Sequence, residues 1–374
     1  MFVGITNTPR DYAWGARGAI SELFGAEPTA APEAELWLGA HPGSPSRIVG
    51  SDETLVDVVD GRLPFLLKVL AAGSPLSLQA HPTMEQAAEG FARENAAGIP
   101  VDAPHRNYRD AFHKPEIIYA LSDDFEALCG FRSLGDLREE LETLVARDGS
   151  DGPIAGWIAR LDGSIRDVFE WLISRGPGVD ELVARLTELA DDSTPALETV
   201  GRLAAEYPGD PGIAISMMLN RVTIHRGEVL YLPAGNIHAY LEGVGIELMA
   251  SSDNVLRGGL TPKHVDVEQL LEVLDFTPLP VPFLEPSEPS SGVRVFAPDI
   301  PDFVLSVVTL DAGTATAVVE QAGAFIALST SGTITLRQGD NAATLEPGQA
   351  VYSDESGVIA LKGSGQVFVA STRL

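Results

Sequence analysis

Residues 227–264, GEVLYLPAGNIHAYLEGVGIELMASSDNVLRGGLTPKH, decide the fold of this chain. Alternating apolar residues run to Leu232 and are followed by Pro233 and Gly235, the pattern of a strand that enters a tight turn. We expect this turn to present His238 at one end of the next strand. The remainder of the segment carries more charged residues beside glycines than a purely structural strand needs, namely Glu247, Asp253, Arg257 and Lys263.

Length and charge exclude several classes of protein. A chain of 374 residues has room for two or three domains, and its net charge of −28 argues against nucleic-acid and membrane partners. Cys129 is the only cysteine, so no intrachain disulfide can form and we expect a reducing, cytoplasmic location. The N-terminus has no signal-peptide pattern, and no segment is apolar enough to span a bilayer.

The first third of the chain predicts strands that carry polar residues. ELWLGAHP at residues 35–42 and LPFLLKVL at 63–70 indicate two strands, the second of them interrupted by Lys68. This lysine either extends its amine to water or points into a polar pocket. In SPLSLQAHP, residues 74–82, a strand places Gln79 and His81 on one face. HKPEIIYAL then places Glu116 beside the apolar core.

The pattern changes twice further along. Leucines at helical spacing over residues 131–207 predict a helical block, and it holds none of the seven histidines. A proline-rich linker at 277–292 precedes short strands every eight to twelve residues, which indicates a sandwich or jelly roll. Within them EPGQAVYSDESGVI parallels HRGEVLYLPAGNIH, with Ile359 at the position of His238. The second β-domain should therefore hold no metal.

Four polar residues that lie far apart in the sequence could together bind a metal ion. Two imidazoles, one carboxylate and one amide oxygen can hold a divalent ion with an open position for water or substrate. The alternative for each residue alone is an ordinary one, a satisfied core histidine or a solvated glutamate. The set consists of Gln79, His81, Glu116 and His238.

Two resemblances strengthen the metal hypothesis. A glycine, five residues and then P-x-G-x-x-H, as in residues 227–238, resembles the second metal-binding motif of the cupin superfamily of β-barrels. More specifically, residues 14–276 resemble the type I phosphomannose isomerase (mannose-6-phosphate isomerase) family in order along the chain. The matching motifs are WLGAHP, LPFLLKVL, SLQAHP, HKPEIIYAL, LCGFR, LPAGNIHAYL and GIELMASSDNVLRGGLTPKHVD.

The resemblance implies a fold and a cofactor. We expect a mainly β protein with two cupin-type jelly-roll barrels and a helical insertion. Residues 1–125 and 213–280 would form the catalytic barrel, 126–212 the insertion, and 281–374 the metal-free C-terminal barrel. The family pattern assigns one zinc ion per chain to Gln79, His81, Glu116 and His238.

The resemblance also implies the reaction, the interconversion of mannose 6-phosphate and fructose 6-phosphate through an enediol(ate), which feeds mannose metabolism and GDP-mannose supply. The metal would acidify the carbon-bound proton, and the family's catalytic arginine maps onto Arg257. The base is left open among Glu247, Asp253, Lys114 and Lys68. Asp253 and His41 could open the sugar ring, and Ser77 and Lys263 could bind the phosphate.

Two other functions compete with this hypothesis. A non-catalytic sugar-phosphate-binding cupin would be expected to lack a ligand, Arg257 or Lys263, and all are present. A cupin oxygenase would prefer iron and a ligand set richer in histidine than one that includes Gln79. We expect a monomer whose partner is a small sugar phosphate.

Overall fold

The computed structural model describes residues 1–149, 152–311 and 315–373. Its strands form two sheets, of nine and ten strands, and its helices lie mainly between residues 134 and 216. Strands therefore dominate the described chain, and the predicted mainly β class with a helical insertion is confirmed. None of the described helices is both long and apolar enough to cross a membrane.

The nine-stranded sheet carries the polar residues singled out above. Its central path follows the order β11, β5, β10, β4, β2, and the other four strands pair onto β10 or onto one another. The strands are β2 (Glu35–Leu38), β4 (Phe65–Ala72), β5 (Gln79–Ala80), β6 (Glu116–Ala120), β7 (Asp124–Phe131), β8 (Leu219–His225), β9 (Val229–Leu232), β10 (His238–Ala250) and β11 (Leu256–Arg257).

Strand β10 organises this sheet because both of its halves pair on both sides. Its first half pairs with β5 and β7, and its second half pairs with β4 and β6. The register on β7 shifts between Tyr240 and Glu242, which is a β-bulge on β10. Since side chains alternate along a strand, the extra residue brings His238 and Glu247 to the same face although nine positions separate them.

The helical block packs as one apolar core. Its helices are α4 (Leu134–Asp148), α5 (Pro153–Arg160), α6 (Ile165–Ile173), α7 (Val179–Leu189), α8 (Pro195–Glu206) and α9 (Gly212–Ser216). Ser133 caps α4 by accepting a hydrogen bond from the Asp136 N–H, as a serine at this position predicts. Leu137, Leu141 and Leu144 recur on its buried face and pack against Trp157 of α5. The remaining helices are α1 (Ala19–Leu23), α2 (Leu55–Val58), α3 (Met84–Ala96) and α10 (Val267–Val273).

The ten-stranded sheet joins the two ends of the chain. It contains β1 (Phe2–Thr6), β3 (Arg47–Ile48), β12 (Ser287–Ser290), β13 (Val293–Phe296), β14 (Val304–Leu310), β15 (Thr316–Gln321), β16 (Phe325–Gln338), β17 (Asn341–Leu345), β18 (Ala350–Ser353) and β19 (Gly357–Ser371). Strand β1 pairs with β18, so the first residues belong to the ten-stranded, C-terminal sheet and not to the nine-stranded sheet. This pairing crosses the domain boundaries predicted from the sequence.

The internal repeat has a structural counterpart. Gly227 and Gly348 both adopt positive φ, of 91° and 82°, in turns that precede β9 and β18. Strand β16 is longer than the predicted spacing of eight to twelve residues suggests: it spans 14 residues and has a register shift between Ser329 and Ser331. The proline-rich linker forms an edge strand, β12, at the end of the sheet order, where prolines are tolerated.

Gly245 on β10 gives a stability prediction. A Cβ atom there would lie 2.7 Å from Ile118 Cδ1 and 2.8 Å from the Tyr119 carbonyl oxygen. We expect Gly245→Ala to lower the free energy of unfolding by about 1–3 kcal/mol through overpacking. Gly156→Ala is the matched control, because this glycine lies in α5 with no atom in the way. The control should raise stability by about 0.5–1 kcal/mol. Denaturant unfolding checks both, and equal effects of the two substitutions would contradict the packing.

Candidate metal centre and active site

Three strands of the nine-stranded sheet, β5, β6 and β10, meet at the predicted metal ligands. Gln79 on β5 lies opposite His238 on β10, and Glu116 opens β6 opposite Met249 of β10. His81 follows β5 directly and is buried. The two imidazole rings lie 5.3 Å apart. Residues far apart in the sequence therefore meet at one point of the sheet.

The donor atoms of these side chains face one another. His81 Nε2 lies 3.4 Å from Glu116 Oε1, and His238 Nε2 lies 3.3 Å from Glu116 Oε2. His81 Nε2, His238 Nε2 and Glu116 Oε2 are buried without a hydrogen-bond partner. Donors at about 2.0–2.1 Å from a tetrahedral zinc ion are about 3.3 Å from each other. The spacing of these atoms fits such an ion.

Hydrogen bonds at the other ring nitrogens set the tautomers of both histidines. His81 Nδ1 lies 2.7 Å from the carbonyl oxygen of Asn254, and His238 Nδ1 lies 3.1 Å from that of Asn236. Each Nδ1 must therefore carry the proton and donate it, which leaves the Nε2 lone pair directed at Glu116. Metal-binding histidines are oriented in this way by backbone carbonyl groups.

Electrostatics keep the donors in their metal-binding forms. Burial and, next in size, the nearby Lys114 ammonium lower the pKa of His81 to about 4, so the ring is neutral near pH 7. Burial alone would raise the pKa of Glu116. Lys114, with Nζ 2.6 Å from Glu116 Oε1, and the two histidines outweigh burial and hold that pKa well below its ordinary value. The carboxylate is therefore ionised.

A cavity of about 550 Å³ opens beside the donor cluster. His81 and His238 lie behind its wall and are buried. The cavity brings the other ten predicted site residues together in its lining: His41, Lys68, Ser77, Gln79, Lys114, Glu116, Glu247, Asp253, Arg257 and Lys263.

The comparisons with known proteins agree with this geometry. The family model for the catalytic domain of type I phosphomannose isomerase matches residues 2–134. Mannose-6-phosphate isomerase from Escherichia coli (strain K12) is 36% identical, covering 97% of each chain, and that from Rattus norvegicus is 31% identical, covering 88% of this chain and 90% of the relative. The chain belongs to the type I mannose-6-phosphate isomerase family. This confirms the family predicted from the motifs.

Solved structures of the family share the whole fold. A crystal structure of mannose 6-phosphate isomerase bound with zinc and yttrium is 33% identical and has a TM-score of 0.88, covering 100% of both chains. A single-residue variant of phosphomannose isomerase from Salmonella typhimurium, also 33% identical and covering 100% of both chains, has a TM-score of 0.90. Zinc is thus the metal with which relatives of this isomerase fold were crystallised.

Lys68 points into the cavity wall and does not extend to water. Its Nζ lies 2.8 Å from Glu247 Oε2 and 3.2 Å from Glu35 Oε1, and all three side chains are buried. Burial raises the pKa of Glu247, as do the carboxylates of Glu116 and Glu35, while Lys68 opposes this rise. Burial would lower the pKa of Lys68, but the two carboxylates raise it above its ordinary value. Sequence reasoning missed Glu35, although it lies within the quoted ELWLGAHP motif.

His41 and Asp253 form a second polar pair in the cavity. His41 Nδ1 accepts a hydrogen bond from the Gly43 N–H at 3.1 Å, so its proton lies on Nε2, which is 3.3 Å from Asp253 Oδ1. Burial would raise the pKa of Asp253, but the bond from His41 and nearby cations outweigh it and lower that pKa. The imidazole therefore donates to an ionised carboxylate.

The cavity lining includes the cations Arg109, Arg257 and Lys263. Burial lowers the pKa of Arg257, and repulsion from Arg109 lowers it further. Burial also lowers the pKa of Lys263, as does repulsion from Arg257 and Arg109. The carboxylates of the cavity pair elsewhere: Asp253 with His41, Glu116 with Lys114, and Glu247 with Lys68. Sequence reasoning missed Arg109, since RNYRDAF shows only that the segment is basic and aromatic.

The donor cluster predicts how metal binding depends on His238. We expect His238→Ala to abolish stoichiometric zinc binding, because one of the buried donor atoms is lost. His225→Ala is the matched control, since His225 is exposed and pairs with Asp124 on the surface. Metal analysis of the purified variants checks this. Stoichiometric zinc in His238→Ala would contradict the assignment.

Proposed function

We propose that this chain is a zinc-dependent aldose–ketose isomerase that interconverts mannose 6-phosphate and fructose 6-phosphate through an enediol(ate). The observation that carries the proposal is the set of groups around one cavity. Unsatisfied metal donors lie at its wall, and the cations Arg109, Arg257 and Lys263 line it. A sugar with a phosphate at its far end fits this arrangement, and relatives over the whole length are named for this activity.

The residues proposed to hold zinc are Gln79, His81, Glu116 and His238. Bound there, zinc would supply a Lewis acid for the substrate oxygens, which lowers the pKa of the adjacent carbon-bound proton. Lys114 touches the ligand Glu116 from the cavity side and keeps its carboxylate ionised. The remaining steps belong to side chains of the cavity.

Glu247 is the residue we assign to proton transfer between carbons 1 and 2. A general base works best when its pKa lies near the operating pH, and burial raises the pKa of this carboxyl group. Lys68 contacts it at 2.8 Å and favours the ionised form that accepts the proton. Lys68, Lys114 and Asp253 remain candidates as bases. The pKa of Lys68 is raised and that of Asp253 is lowered, so both move away from neutral pH, unlike that of Glu247.

Ring opening is assigned to His41 and Asp253. Opening requires a proton to leave the hydroxyl group on carbon 1 and another to reach the ring oxygen. His41 carries its proton on Nε2 at the cavity wall, and Asp253 is ionised, so the pair offers one donor and one acceptor.

Phosphate binding is assigned to Lys263, Arg109 and Ser77. An anion in a chain of net charge −28 needs a local cluster of cations, and these side chains line the cavity. Arg257 lies opposite Gln79 in the sheet and is therefore nearer to the reacting carbons. We assign its guanidinium to the charge that develops on the sugar oxygens.

We also infer that the enzyme acts as a monomer in the cytoplasm. Its single cysteine is buried and free, which suits a reducing compartment. Light scattering tests the monomeric state, and cell fractionation tests the location. The three predicted domain boundaries likewise stay a proposal, although β1 pairs within the C-terminal sheet.

A coupled assay tests the proposed function. The zinc-loaded protein should convert mannose 6-phosphate to fructose 6-phosphate, and chelation of the metal should abolish the activity. The competing function, a non-catalytic sugar-phosphate-binding cupin, predicts binding of mannose 6-phosphate without turnover. Binding without turnover by the zinc-loaded protein would overturn the proposal.

Arg257 and Lys263 should differ in their kinetic effects. Arg257→Ala should lower kcat by about 10²-fold or more with little change in KM, because its contact forms mainly in the transition state. Lys263→Ala and Arg109→Ala should instead raise KM for mannose 6-phosphate and matter much less for unphosphorylated mannose. Steady-state kinetics on both sugars checks this. An equal penalty on both sugars for Lys263→Ala would contradict its phosphate role.

A further inference from the structure

Asp210 links the helical block to the loop that carries two of the cavity cations. It lies between α8 and α9, outside the donor cluster. Its Oδ1 accepts hydrogen bonds from the backbone N–H groups of Gly212 at 2.7 Å and Leu260 at 2.9 Å. Its Oδ2 accepts from the N–H of Thr261 at 3.5 Å. One carboxylate thus binds the start of a helix and the middle of residues 257–263.

The loop held by Asp210 has a conformation that its sequence does not favour. Leu260 has φ of 54°, in the left-handed region that costs free energy for a residue with a Cβ atom. Its side chain is fully buried against the helical block, so the side chain cannot leave to relieve this strain. The hydrogen bonds from Asp210 fall on Leu260 and on the residue after it. They satisfy backbone donors that the unusual turn exposes.

Close packing around Asp210 leaves the turn little freedom. Gly259 has φ of 112°, and a Cβ atom there would lie 3.0 Å from Asp210 Oδ1 and 3.1 Å from Gly212 Cα. A Cβ atom on Gly212 would lie 2.7 Å from Leu260 Cγ. The helical block and the loop therefore meet with backbone against backbone, and the carboxylate lies at their junction.

The loop connects this junction to the substrate. Arg257 lies at its start, in β11, and Lys263 at its end, and both line the cavity. Next to Arg257, the Gly258 N–H donates to the Leu78 carbonyl at 2.8 Å, beside Ser77. Tyr207, three residues before Asp210, donates its hydroxyl to the carbonyl of Pro75 at 2.7 Å. The end of the helical block thus contacts both the loop that carries Arg257 and Lys263 and the segment that carries Ser77.

We propose that Asp210 is a positioning residue that sets the distance and direction between Arg257 and Lys263. The inference rests on the proposed function, because it assigns these two cations to the substrate. Without the carboxylate, the left-handed turn at Leu260 loses the acceptors that stabilise it, and Lys263 leaves its place relative to Arg257. The helical block would then contribute to catalysis by positioning these two cations, although it supplies none of the proposed metal ligands.

A purely structural role for Asp210 predicts a different result. As a cap for α9 alone, its removal would lower Tm and leave binding of phosphate unchanged in the folded protein. The two roles are separable by comparing stability with binding. Asp167 is the matched control, because it belongs to the same block, caps α6 through the Ser164 N–H and lies outside the cavity lining.

The test uses the zinc-loaded full chain and the variants Asp210→Ala, Asp210→Asn, Asp167→Ala and Lys263→Ala. Calorimetry measures binding of mannitol 6-phosphate, which has no carbonyl group and cannot isomerise. Steady-state kinetics gives KM and kcat for mannose 6-phosphate, and thermal unfolding gives Tm. Zinc content is measured for every variant and should equal that of the parent.

We expect Asp210→Ala to weaken mannitol 6-phosphate binding and raise KM by at least about tenfold, with a smaller change in kcat. Asp210→Asn keeps an oxygen for the Leu260 N–H and loses the charge, so its effect should be intermediate, at least about threefold. Asp167→Ala should lower Tm and leave binding unchanged. If Asp210→Ala does not fold, the Asp210→Asn variant provides the test. Mannitol 6-phosphate binding by Asp210→Asn equal to that of the parent would overturn the inference.

The outcomes also separate this inference from the proposed function. If Lys263→Ala weakens binding and Asp210→Ala lowers only Tm, the positioning role is wrong and the isomerase proposal stands. If the parent neither turns over mannose 6-phosphate nor binds mannitol 6-phosphate, the proposed function is wrong, and the positioning role is overturned with it.

Discussion

A buried carboxylate between two imidazoles is the interaction on which the rest of this structure depends. Glu116 is 1% exposed, and an ionised group at that depth is costly unless other charges or a metal compensate for it. Lys114 compensates on one side, and the unsatisfied nitrogens of His81 and His238 face its other side. The strands that supply these groups must therefore keep their register, because a slip of one residue would turn each side chain away.

The same accounting of charge distinguishes the groups around the cavity. The carboxylates of Asp253, Glu116 and Glu247 pair with histidine or lysine. Repulsion among Arg109, Arg257 and Lys263 adds to burial in lowering the pKa of Arg257 and of Lys263. An anion bound among these cations, as we propose for the phosphate, would offset that repulsion.

Local patterns predicted much of this, and nonlocal pairing accounts for what they missed. The P-x-G-x-x-H turn and the helical periodicity of residues 131–207 are properties of short segments, so the sequence shows them directly. The bulge that brings Glu247 to the face of His238 depends on how β10 meets β7, which no single segment reveals. Glu35 and Arg109 have ordinary contexts along the chain and acquire their roles only through neighbours on other strands and loops. The pairing of β1 with β18 joins opposite ends of the chain and leaves no signal in either end alone.

Residues outside the cavity lining connect the metal donors to the segments that carry cations. Asn254 is fully buried, its carbonyl oxygen lies 2.7 Å from His81 Nδ1, and its side-chain oxygen accepts a hydrogen bond from the backbone N–H of Arg109 at 2.7 Å. One residue therefore connects a proposed metal ligand to the backbone that carries a cavity cation. From the loop before β14, Asp302 pairs with His113 at 2.7 Å, directly before Lys114. Since these contacts run through backbone groups and mostly buried side chains, the backbone around the proposed site is held in place from both β-rich parts of the chain.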